Sequence, residues 1–113
     1  MDLNEFLIAM KKWTDKPHMF ILDNNRFKEM ENAYNKLRGI VLNISPDATI
    51  EIKESKINDG SYSIVVETDE LIVYNTNDFI EVIRSANNFE VYPLRNKNIR
   101  MSFMFAGVMK LIK

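Results

Sequence analysis

Residues 48–75 read ATIEIKESKINDGSYSIVVETDELIVYN. In the first eight, Ala48, Ile50 and Ile52 alternate with Thr49, Glu51 and Lys53. That two-residue period belongs to a strand with one face on a core. Asp59-Gly60 then makes a turn, and Tyr62, Ile64 and Val66 resume the alternation over 62–68. A turn this short joins antiparallel strands, because a parallel pair needs a long crossover. The third run, 70–75, is apolar on both sides, with Leu71 and Val73 against Ile72 and Tyr74. The stretch therefore sets up an antiparallel sheet, and its flanks must supply whatever covers it.

Upstream, residues 24–44 place Phe27, Met30, Tyr34, Leu37, Val41 and Ile44 at alternating steps of three and four. This is one apolar helical stripe. Asp23 is a suitable N-cap and Pro46 ends the helix. A first helix over 2–14 opens with the capping-box pair Asp2 and Glu5. Its apolar face is expected to carry Leu3, Phe6, Leu7, Met10 and Trp13. The link HMFIL reads as extended.

Downstream, a third helix is expected over 77–87, with Phe79, Ile80, Ile83 and Ala86 facing inward. A strand over 89–94 follows, with Pro93 marking an edge or a bulge. The last strand begins the stretch IRMSFMFAGVMKLIK, and Gly107 should bend it. The expected fold is α+β, one domain over residues 1–113. It has an antiparallel sheet of about five strands packed with two to three helices. The element order is α-α-β-β-β-α-β-β.

That order contains α-β-β-β-α-β-β, which resembles small dimeric secretion chaperones. The helix that usually closes that fold is missing here. The resemblance implies a dimer that binds another protein.

Hydrophobic residues make up 46% and charged residues 27% of the chain, too apolar for disorder. No apolar run reaches the eighteen residues of a membrane-spanning helix. The start, MDLNEFLIAMKKW, puts acids before apolar residues, the reverse of a signal peptide. With no cysteine, the expected location is cytoplasmic. Thirteen Asn and thirteen Ile suit an AT-rich bacterial or phage genome.

Catalytic motifs are not found. His18 is the only histidine and has no local nucleophile or carboxylate to work with. No cofactor and no metal are expected, since one histidine without cysteine makes no zinc set. The three glycines are scattered and cradle no phosphate.

The charge is uneven. Residues 58–91 hold seven acids and one base, whereas residues 92–113 hold five bases and no acid. Arg95, Lys97 and Arg100 are a candidate basic edge. Nucleic acid is not the expected partner, because the bases are few and the net charge is −1. In the terminal stretch, Ile99, Met101, Phe103 and Phe105 oppose Arg100, Ser102, Met104 and Ala106. Strands apolar on both faces are usually covered on both. The expected cover is the first helix or a second molecule. Met101, Phe103, Met104, Phe105 and Met109 are therefore candidate homodimer contacts. The expected function is a non-catalytic protein-binding module, chaperone- or adaptor-like. The alternative is a small-molecule-binding domain or enzyme whose pocket is lined by Tyr34, Tyr62, Tyr74 and Tyr92.

Overall fold

A computed structural model describes residues 2–14, 20–44, 47–55, 60–69, 77–95 and 98–111. The order is α1 (Leu3–Thr14), β1 (Phe20–Leu22), α2 (Asn24–Ile44), β2 (Thr49–Glu54), β3 (Tyr62–Thr68), α3 (Asn77–Ser85), β4 (Asn88–Pro93), β5 (Ile99–Phe105) and β6 (Met109–Leu111). This is the expected α+β class built on an antiparallel sheet. The main sheet has the order β2-β3-β5-β4, and β1 pairs with β6 in a separate two-stranded ribbon. The strand expected over 70–75 lies outside the described residues.

The helix starts follow their caps. Asp2 Oδ1 accepts the Glu5 N–H at 2.8 Å. Asp23 Oδ1 accepts the N–H groups of Asn25 and Arg26, both at 3.1 Å, and so satisfies two otherwise unpaired donors of α2. The α2 stripe is core as expected: Met30, Tyr34, Leu37 and Val41 are buried, and Phe27 is packed against them. Gly39 sits on the exposed side of α2 with nothing within 4 Å of where a Cβ would be. Gly39→Ala should therefore stabilise the protein by about 1 kcal/mol, the helix-propensity difference. A urea midpoint unchanged or lowered by this substitution would show that the backbone there is not ordinary helix.

Asp23 also holds Lys110 of β6 in an ion pair at 2.9 Å. The Lys110 ammonium, followed by the Arg26 N–H, holds its carboxyl below the usual carboxylate value. A folded-state pKa below the unfolded one contributes stability above the unfolded value. That stability is lost as the pH falls through the folded value. Urea midpoints measured from neutral pH down to about pH 3 should fall, and Asp23→Asn should flatten that acid limb. Parallel acid limbs in the two proteins would remove Asp23 from the account.

The register sorts the two sheet faces. One face carries the rows Ile52–Ile64–Phe103–Phe89 and Ile50–Val66–Met101–Val91. All three helices pack on this face: Phe6 of α1 meets Tyr62 edge-on at 4.7 Å, and Phe79 of α3 meets Phe103 edge-on at 5.8 Å. The opposite face carries Lys53, Ser63, Glu67, Arg100 and Tyr92, with Val65 and Met104 among them. No described element covers it. Among the described residues the expected second cover is not seen; polar side chains let an antiparallel sheet meet water on one side, and Val65 among them is 8% exposed. Leu7 also departs from expectation. It faces solvent, whereas Phe6 takes the buried position in α1.

Candidate protein-docking surfaces

β5 brings most of the candidate interface residues inward. Met101, Phe103 and Phe105 are fully buried within this single chain, and Met109 of β6 is 2% exposed. They are core. The reason is the helix layer, which covers their face of β5 completely. Met104 points to the open face and is partly exposed. Gly107, at φ +70°, turns the chain between β5 and β6, so Met109 belongs to a different sheet from the other four.

The basic edge does not assemble. Arg95 is exposed in the β4–β5 turn, and Lys97 lies outside the described residues. Arg100 donates to Glu67 Oε1 from Nε at 2.8 Å and from a terminal nitrogen at 2.5 Å. It also lies over the Tyr92 ring at 5.9 Å. The acidic and basic segments thus attract each other within the fold at Glu67–Arg100, and of the two described bases Arg95 is the exposed one.

The described tyrosines do not converge on one pocket. Tyr62 is core, Tyr92 lies on the open sheet face, and Tyr34 is buried on the inner side of α2; Tyr74 lies outside the described residues. Burial, with a smaller push from Glu54, raises the Tyr62 phenol to about 12. The phenol stays neutral in the fold while the unfolded chain ionises at its ordinary value. Stability is therefore full below that value and is lost as the pH rises toward 12. A spectrophotometric titration should show one tyrosine ionising late, together with unfolding. Normal titration of every tyrosine in the folded protein would contradict this placement.

No family model, curated protein or solved structure matches this chain. The described residues hold no cluster of metal-binding side chains and no helix long and apolar enough to cross a membrane.

An open groove of about 280 Å³ runs between the start of α1 and the second half of α2. Leu3, Leu42 and Ile50 supply its apolar surface and Tyr34 its floor, with Asp2, Asn4, Asn35 and Arg38 as the polar lining. Arg38 has no ion pair among the described residues. Further along α1, Leu7 is 43% and Ile8 67% exposed. Sequence reasoning missed this groove because Leu3 and Leu7 read as the apolar face of the first helix and Leu42 lies off the α2 stripe. Only the crossing of α1 over the edge of β2 brings Leu3, Leu42 and Ile50 together.

It also missed Arg26. Its Nε donates to the Ala106 carbonyl at 3.1 Å and a terminal nitrogen donates to the Ser85 carbonyl at 2.7 Å. The other terminal nitrogen donates to Asn87, whose Oδ1 also accepts the Ala106 N–H at 2.9 Å. The guanidinium covers the Phe105 ring at 4.8 Å. Arg26 thereby ties the start of α2 to the ends of α3 and β5. These are structural contacts, and they leave the guanidinium no open donor set for a ligand.

Proposed function

We propose that this chain is a small cytoplasmic, non-catalytic protein-binding module that works as a homodimer, in the manner of a chaperone or adaptor. The observation that supports this reading is the groove of Leu3, Leu42 and Ile50, continued by exposed Leu7 and Ile8 on α1. The groove sets Leu3, Leu42 and Ile50 among the polar side chains Asp2, Asn4, Asn35 and Arg38, and such mixed surfaces are ordinary in protein interfaces. The occupant that fits is a segment of another protein carrying an aliphatic side chain for the groove and a carboxylate for Arg38. Each aliphatic side chain buried there contributes roughly 1.5–3 kcal/mol.

The test is site-specific photo-crosslinking in the native host. A photoreactive residue at Leu42 should capture one protein, and Arg38→Glu in the same chain should weaken that capture. The same probe at Lys53, on the open sheet face, should not capture it. Equal capture at both positions, or none at Leu42, would end the reading. A low-mass ligand retained in native mass spectrometry, and displaced by Leu42→Trp, would favour a small-molecule-binding domain instead.

A further inference from the structure

The edge strand β4 has a pairing geometry that selects its own copy. Among the described residues β4 bonds on one side only, to β5. The Leu94 N–H donates to the Asn98 carbonyl at 2.8 Å, continuing the register that pairs Tyr92 with Arg100 and Asn88 with Met104. A strand residue aims its N–H and C=O to the same side, and successive residues alternate. Asn88, Glu90 and Tyr92 therefore bond to β5. Phe89 and Val91 turn both backbone groups outward, and Pro93 turns out a carbonyl alone.

The side chains beside this edge are apolar. Val91 is on the helix-covered face yet 52% exposed, because it ends its row. Phe79 of α3 meets Phe89 at 6.0 Å, which places α3 above the edge. α3 turns Glu81, Val82 and Ser85 toward α2. Ile80 lies on the other side of the helix and is 38% exposed.

We infer that β4 pairs antiparallel with β4 of a second copy about a twofold axis through Val91, joining two sheets into one. This rests on the homodimer reading above and adds the surface and the register. With the axis at Val91, the two Val91 residues exchange both backbone bonds. Each Phe89 N–H reaches the Pro93 carbonyl of the other copy. On the open face each Glu90 then stands opposite the other Tyr92, beside Arg100. An axis at Glu90 would satisfy the same outward groups, but it sets two carboxylates directly opposite each other, which is destabilising. An axis at Tyr92 sets Val91 opposite Pro93, which has no N–H to return. Charge and the missing donor favour the Val91 axis over the axes at its two neighbours. Such a pair is closed, since both β4 edges are used up in it.

The chain has no cysteine, so single cysteines read the register directly. In a hydrogen-bonded antiparallel pair the opposed Cα atoms are about 5.5 Å apart, within disulfide range. Val91→Cys should oxidise to a covalent dimer. Glu90→Cys, now diagonal to its copy at roughly 7–8 Å, should stay largely reduced. The wild-type protein should sediment as a dimer, and Val91→Lys as a folded monomer with an unchanged circular dichroism spectrum. Stronger crosslinking of Glu90→Cys than of Val91→Cys would overturn the axis. A wild-type dimer indifferent to Val91→Lys would place the interface elsewhere and overturn this inference alone. A wild-type monomer at high micromolar concentration would overturn the homodimer reading with it.

Discussion

Gly60→Ala is expected to cost about 4 kcal/mol, a large part of the 5–15 kcal/mol that holds a domain of this size together. Gly60 stands at φ +80°, where a side chain strains the backbone by roughly 1–2 kcal/mol. The larger penalty is steric. A Cβ there would lie 1.9 Å from the Met109 carbonyl oxygen and 2.8 Å from its carbon. Both are backbone atoms, so no side chain can swing aside. The turn would have to lift away from β6, breaking the bond from the Met109 N–H to the Gly60 carbonyl at 2.9 Å. Forcing atoms into a filled site typically costs a further 1–3 kcal/mol, occasionally more. Urea denaturation of Gly60→Ala beside Gly39→Ala makes the comparison within one protein. The same chemical change should destabilise at one glycine and stabilise at the other. A loss below about 1 kcal/mol at Gly60, an ordinary point-mutation effect, would mean that the turn is free to move.

Phe103→Ala is expected to cost about 3–5 kcal/mol, the range for emptying a large aromatic site in a core. Phe103 is fully buried at the middle of β5 and lies between Ile64 and Phe89 in the register. Its ring centroid is 4.9 Å from Phe89 and 5.8 Å from Phe79. Such ring pairs add about 0.5–1.5 kcal/mol each beyond the area they bury. Met104, the next residue, points to the open face and should cost less than about 1 kcal/mol when cut to alanine, closer to a surface substitution. Denaturant titrations of the two variants compare the two faces of one strand. Equal losses would mean that both faces are packed alike and would return the open face to the interior.

The elements whose residues repeat cleanly were legible in the sequence. The α2 stripe, the Asp2 and Asp23 caps, and the alternation in β2 and β3 follow from local chemistry alone, and their bounds lie close to the expected ones. The faces of β5 were harder. Phe and Met alternate with Met and Ala there, so the pattern shows two apolar sides where the fold buries one. What decides is which strands flank β5, and that is a long-range fact. The pairing of β5 between β3 and β4 puts Met104 in a row with Ser63 and Asn88, a polar neighbourhood no local window reveals. Arg26 was illegible for a similar reason. It reads as one more base in the first turn of a helix, and apart from Glu29 its partners lie 59 to 80 residues away.

The β1–β6 ribbon has a consequence for how the chain is made. Among the described residues β1 finds its strand partner in Met109–Leu111, and the Asp23 N–H finds its acceptor in Val108. A ribosome delivers residues in order, at about 5–20 per second. For several seconds after Phe20–Leu22 emerges, its ladder groups have only water or a transient neighbour to bond. The β2–β3 hairpin forms from adjacent sequence in the meantime. The fold is thus completed by tucking its earliest strand under one of its latest, and a nascent chain halted before residue 109 would carry that strand unpaired.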